Sequence, residues 1–190
     1  LSFADLLANR NALLFAAVPS AAQTPPPGVT DKEIVLGSVM DLSGPTAPLG
    51  ALVRAGIQFG FETINKAGGV HGRQVRLIIE DSGYDPKKAV LAAQKLVNQD
   101  KIFAMLGHIG TAQNNAAMPV QFEKNVINFL PITAAREMYE PFNRLKYSFA
   151  VTYYDQMRTF LPKLVKEKGA KKVCAIYQDD DFGLEVLRGA

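Results

Sequence analysis

Ile102-Phe103-Ala104-Met105-Leu106 stops at Gly107-His108-Ile109-Gly110-Thr111, a helical stretch runs from about Gln113 to Lys124, and Val126-Ile127-Asn128-Phe129-Leu130 then stops at Pro131-Ile132-Thr133-Ala134. The order is strand, small-residue loop, helix, strand, small-residue loop. Both loops leave the carboxyl ends of neighbouring parallel strands, where open α/β sheets hold their ligands. No strong catalytic signature accompanies them, so the stretch reads as a place to hold a small molecule and not to transform it.

The flanking sequence repeats the same unit. Ile34 to Met40 reads as a first strand, broken by Asp41-Leu42-Ser43-Gly44-Pro45. A helix is expected from about Leu49 to Lys66, with Val53, Ile57, Gly60, Phe61 and Ile64 on one face. Asn65-Lys66-Ala67-Gly68-Gly69 supplies the glycine that follows a helix end. Val75 to Asp81 is the second strand, and Pro86 opens a helix reaching about Gln99. After the two strands quoted above, Met138 to Phe142 reads as a helical turn or loop and Tyr147 to Val151 as extended. Tyr154 to Lys168 reads as helix closed by Gly169, Lys172 to Tyr177 as strand, and Phe182 to Ala190 as helix. Repeated βα units with short connections imply a doubly wound parallel sheet between helices, the α/β class. Near-continuous apolar strands suit a sheet covered on both faces. Residues 31–150 form one expected lobe. Residues 151–190 read as the truncated start of a second, similar lobe.

Composition narrows the function. Of 190 residues 48% are hydrophobic and the net charge is only +3, so a core can form. Lys163, Lys166, Lys168, Lys171 and Lys172 cluster, but no aromatic stacking series accompanies them. They read as a solvated face and not as a nucleic-acid surface. Cys174 stands alone within Val173-Cys174-Ala175-Ile176, which excludes an internal disulfide and a Cys-based zinc cluster and suits a buried small hydrophobe. Arg10, the apolar run Ala12 to Val18, and Pro19-Ser20-Ala21-Ala22 have the layout of a secretory signal over residues 1–22. Residues 23–30, with Pro25-Pro26-Pro27-Gly28, read as a Pro-rich leader.

Several residues are candidates for a site. At Gly107 to Thr111 the opening of a helix offers unpaired backbone N–H groups and partial positive charge, small residues permit close approach, and Thr111 adds a hydroxyl. The segment is either an anion seat or a tight βα turn. It lacks the Lys of a P-loop and the spacing of a dinucleotide fold. His108 has only His71 for company and no nucleophile, so it suits a structural or pocket-lining role. Asp179-Asp180-Asp181 could hold a divalent ion, but consecutive acids point different ways and suit a helix start equally well. No metal or other cofactor is expected. Ser43 lies in a further loop at a strand end. Tyr153-Tyr154 sit near the crossing to the second lobe, for packing or for ligand contact.

Ile34-Val35-Leu36-Gly37, Asp41-Leu42-Ser43-Gly44-Pro45, Gly50, Asn65-Lys66-Ala67-Gly68-Gly69-Val70-His71-Gly72 and Asp81-Ser82 together resemble the periplasmic leucine/isoleucine/valine-binding proteins. These are extracytoplasmic receptors of ABC importers with the type I periplasmic-binding fold, and the resemblance covers nearly all of residues 31–190. It implies two hinged lobes closing on a small ligand, a membrane permease as partner, a periplasmic location and no enzymatic activity. It places Thr111 on the serine that holds the ligand carboxylate, Gly110 on its small neighbour and Ile132 on a backbone contact. Ala134 falls on a threonine, with Thr133 beside it. Leu49 falls where branched-chain receptors carry an aromatic residue, and Phe182 on a pocket tyrosine of the second lobe, with Asp181 adjacent. Those departures widen the expected ligand to an amino acid or a related small carboxylate or amide. A sensor of the same fold would present the same site. An α/β enzyme working through Asp179 to Asp181 would need a nucleophile or metal cluster that the sequence does not offer.

Overall fold

The computed structural model describes residues 25–190. The expected signal segment, residues 1–22, and the first two residues of the leader lie outside the described residues. Five strands form one sheet: β1 (Glu33–Met40), β2 (Gln74–Asp81), β3 (Ala104–Leu106), β4 (Ile127–Phe129) and β5 (Lys146–Tyr147). Their order is β2-β1-β3-β4-β5 and every pairing is parallel. The direction of chain progression reverses between β1 and β3. That is the position at which doubly wound sheets open a crevice beyond their carboxyl ends.

The connections are α1 (Ala47–Lys66), α2 (Pro86–Asn98) and α3 (Thr111–Glu123), followed by a 3₁₀ turn at Arg136–Met138 and then α4 (Tyr153–Lys168) and α5 (Asp181–Gly189). Local chemistry explains where they start and stop. Asp85 caps α2 by accepting from the Lys87 and Lys88 amides at 2.7 and 3.0 Å, one reason Pro86 can follow directly. Asn65, in the last turn of α1, donates to the Val75 carbonyl at 2.8 Å and accepts from the Val75 amide at 2.7 Å. It thereby ties the helix end to the start of β2. Gly169 ends α4 at φ +61°, in the left-handed region.

Side-chain alternation assigns the faces. Val35, Val39 and Met105 bury against α2 and α3 with Ala89, Ala93, Leu96, Ile102 and Ala117. Gly37 belongs to this face: a Cβ there would stand 2.6 Å from the Ile102 side chain. Burying each of the larger apolar side chains is worth roughly 1.5–3 kcal/mol. The opposite face is thinner. Ile34 and Leu36 meet Phe61 and Ile64 of α1 around an apolar groove of about 350 Å³ that also touches Phe103, Ile127 and Phe129. The expected inward face of α1 is accordingly only half covered at Val53, Ile57 and Phe61.

Three expectations are corrected. Residues Lys172 to Tyr177 form no strand. Ile176 and Val173 are exposed, and among the described residues no strand runs beside them to take their backbone hydrogen bonds. Cys174, expected to be buried within that strand, is exposed for the same reason. The extended piece after residue 142 is the two-residue β5, one position earlier than expected and pinned by the Asn128 and Leu130 amides donating to Leu145 and Tyr147. No helix among the described residues is long and apolar enough to cross a membrane.

Candidate functional site

The two loops read from the sequence meet at the tips of β3 and β4. Ile109 and Ile132 pair as a parallel bridge, with the Ile132 amide donating to the His108 carbonyl at 2.9 Å. This brings the Thr111 and Thr133 hydroxyls to 2.7 Å from one another, both buried. Gly110 precedes α3 with no side-chain cap, and no acid lies in the first turn. The positive end of the helix dipole therefore faces the two hydroxyls without a neutralising side chain. Gly110 has φ +95° and ψ 142°, a region essentially closed to side chains. A Cβ there would stand 2.0 Å from Gln113 Oε1.

Beneath the seat lies a polar layer. Asn114 Nδ2 donates to the His108 and Gly110 carbonyls at 2.9 and 2.7 Å, and Asn128 Nδ2 donates to Asn114 Oδ1 at 3.1 Å. These bonds bind loop, helix and strand into one unit. His108 is fully buried with neither ring nitrogen hydrogen-bonded, and burial pushes its pKa down to about 3. It is neutral, and its carbonyl rather than its imidazole serves the seat.

The second segment closes over this point. The Ala134 carbonyl accepts from the Tyr153 amide at 2.9 Å. Tyr153 meets Phe182 edge to face at 5.1 Å, and Asp181 accepts from Asn115 Nδ2 at 2.9 Å. Thr111, Gly110, Ile132, Thr133, Ala134, Tyr153, Asp181 and Phe182 thus fall in one neighbourhood. Ser43 and Leu49 have no hydrogen bond to it: Ser43 lies beside the loop leaving β2, its Oγ 3.4 Å from where a Gly83 Cβ would stand, and Leu49 is 44% exposed on the first turn of α1. The β1–α1 turn is held by Asp41 instead, which accepts from the Gly44 and Thr46 amides, both at 2.6 Å, and from the Thr46 hydroxyl at 2.7 Å. Asp180 caps α5 through the Gly183 amide at 3.0 Å, and among the described residues no group of His, Cys, Asp or Glu is arranged to hold a metal ion.

Reading the sequence missed Tyr84. It adopts φ +62°, its ring edge lies 3.1 Å from where a Gly110 Cβ would stand, and its carbonyl accepts from Gln113 Nε2 at 2.6 Å. Burial raises the pKa of its hydroxyl. Tyr84 lies in the loop leaving β2, which is another strand tip. The argument that singled out the other three loops applies to it equally.

A family profile described as "Periplasmic binding protein" matches residues 33–190. A leucine-, isoleucine-, valine-, threonine- and alanine-binding protein of Pseudomonas aeruginosa is 32% identical over 139 residues, 73% of this chain and 36% of that protein. Among solved structures, a fatty acid ABC transporter substrate-binding protein from Thermomonospora curvata is 30% identical and superposes with a TM-score of 0.78 over 87% of this chain and 42% of that one. A possible leucine/isoleucine/valine-binding protein from Rhodopirellula baltica shares the fold at 22% identity, with a TM-score of 0.77 over 88% of this chain and 44% of that one. The chain spans about two fifths of the length of the curated relatives it matches.

Proposed function

Because the chain belongs to the periplasmic binding protein family, we propose that it forms the first lobe, residues 31–150, and the opening of the second, residues 151–190, of an extracytoplasmic receptor that captures a small carboxylate for an ABC importer. The observation that carries this reading is the pair of buried hydroxyls, Thr111 and Thr133, 2.7 Å apart at the uncapped start of α3. Two O–H donors and a helix N-terminus suit a carboxylate. Relatives named for amino acids and for a fatty acid have that group in common. Tyr153 and Phe182 supply an apolar wall beside it. The ligand is bound and released unchanged, in the periplasm, and the closed form is what a membrane permease recognises. Residues 1–22 act as the export signal.

A ligand carboxylate at this seat replaces a hydrogen bond that already exists. A bond to a charged acceptor is worth roughly 1.5–3 kcal/mol and a neutral one roughly 0.5–1.5 kcal/mol. The net gain through Thr111 is therefore about 1 kcal/mol, or roughly fivefold in Kd. Titration calorimetry of the full-length protein with L-leucine, L-threonine, octanoate and 4-hydroxybenzoate tests the reading. At least one acid binds, its methyl ester does not, and Thr111→Val weakens the acid about fivefold. An ester that binds as well as its acid would refute the carboxylate seat. Silence from every probe would refute capture of a small acid.

A further inference from the structure

One charged pair joins the seat loop to the second segment. Arg136 follows Thr133-Ala134-Ala135 directly. Its Nε donates to Glu185 Oε1 at 2.7 Å, its Nη2 to Oε2 at 3.2 Å, and its backbone amide to Oε1 at 3.4 Å. Glu185 lies on α5 with no exposed surface. Arg188 approaches its Oε2 at 3.9 Å. The Arg136 guanidinium stacks 4.0 Å over the Tyr154 ring of α4, which fixes the fork from its far side.

A buried carboxylate is a costly way to gain stability, because an apolar pair of similar size does as well or better. What the pair adds is geometry. The bidentate fork sets the direction of Arg136, and the third bond grips the backbone at the end of the 131–135 loop. Inside that loop the Ala135 amide leans on the Thr133 hydroxyl at 3.4 Å, and the same hydroxyl meets Thr111. A continuous chain of contacts therefore runs from α5 through Arg136 to the seat.

We propose that Glu185 is a positioning residue for the ligand seat: it holds Arg136, and through it the 131–135 loop, so that Thr133 faces Thr111 only while α5 is docked. The proposal rests on the capture reading for its benefit to the ligand, but not for its geometry. The coupling is reciprocal, so a ligand that fixes the seat also fixes α5.

The test is amide hydrogen exchange on the full-length protein, wild type against Glu185→Gln and Arg136→Lys, first without ligand. Exchange over residues 131–136 rises at least tenfold in Glu185→Gln and by a smaller factor in Arg136→Lys, which keeps the charge and loses the fork. Exchange in α2 stays as it was, which separates loop release from general loosening. Unchanged exchange over 131–136 in both variants would overturn the proposal, and so would acceleration confined to 181–189. If Glu185→Gln fails to fold, Arg136→Lys decides alone. The second arm adds saturating L-leucine or octanoate. Binding slows exchange at 181–189 in the wild type, that protection is lost in Glu185→Gln, and Kd rises several-fold. If no probe binds the wild type, the capture reading fails while the ligand-free arm still decides the positioning.

Discussion

Gly110→Ala, at the junction of β3 and α3, probes seat and fold together. The native backbone at φ +95°, ψ 142° costs a residue with a side chain about 1–3 kcal/mol. The added methyl also meets Gln113 Oε1 at 2.0 Å and the amide carbon at 2.7 Å. These are the far end of a flexible side chain, so the clash resolves by swinging the amide away. That swing breaks the bond from Gln113 Nε2 to the Tyr84 carbonyl, worth roughly 0.5–1.5 kcal/mol. The sum is about 1.5–4.5 kcal/mol. Gly56→Ala is the matched control: it lies within α1 with nothing within 4 Å of the new methyl, and removing an interior helix glycine stabilises by about 0.5–1 kcal/mol. Urea unfolding followed by circular dichroism at constant m-value measures both. The same substitution should shift the midpoint in opposite directions at the two positions. A Gly110→Ala midpoint equivalent to less than about 0.5 kcal/mol of destabilisation would refute the reasoning, because the backbone term alone exceeds it.

Two further outcomes follow from polar groups inside the fold, Asn65 half-buried and His108 fully buried. Asn65→Asp is nearly isosteric, yet a carboxylate cannot donate to the Val75 carbonyl, so it should destabilise by about 1–3 kcal/mol, as much as Asn65→Ala; an Asp variant as stable as wild type in urea would show that the link to β2 carries no weight. His108 has a folded pKa lowered from 6.5 to about 3, so between those pH values the unfolded chain holds a proton the folded chain refuses. Its contribution is complete above pH 6.5 and is lost on acidification at up to about 1.4 kcal/mol per pH unit. The difference in urea midpoint between wild type and His108→Leu, followed from pH 7 to pH 4.5, should change along that slope; a constant difference would count against a buried neutral imidazole.

The alternation of strand and helix up to residue 130 was legible because each element carries its own cause. The strands are continuous apolar runs, and the helices begin at Asp85-Pro86 and Gly110-Thr111 and end before glycine or a turn. That the loops Gly107–Thr111 and Pro131–Ala134 lie side by side was legible too, since neighbouring parallel strands place their carboxyl-end loops together; that Thr133 is the residue meeting Thr111 was not. What could not be read was contributed by partners far apart in the chain. Arg136 and Glu185 are 49 residues apart, and nothing local distinguishes this acid from any other on a helix. A signal did exist: Glu185 interrupts Leu184, Val186 and Leu187, so one acid falls among apolar neighbours on a short helix. Lys172 to Tyr177 misled for the converse reason. Its apolar run has strand character, but a strand is defined by the edge it pairs with, and among the described residues none adjoins it.

The sheet order carries a consequence for how the chain is made. β1 is the first of the described strands to leave the ribosome, yet it sits inside the sheet, flanked on one edge by β2 and on the other by β3. Its second edge stays open until Ala104 emerges, 64 positions after Met40. A nascent chain shorter than that holds an apolar ribbon with at least one edge unpaired, a natural target for a holding chaperone. Translation of the β3 segment is thus the event after which the ribbon no longer needs guarding.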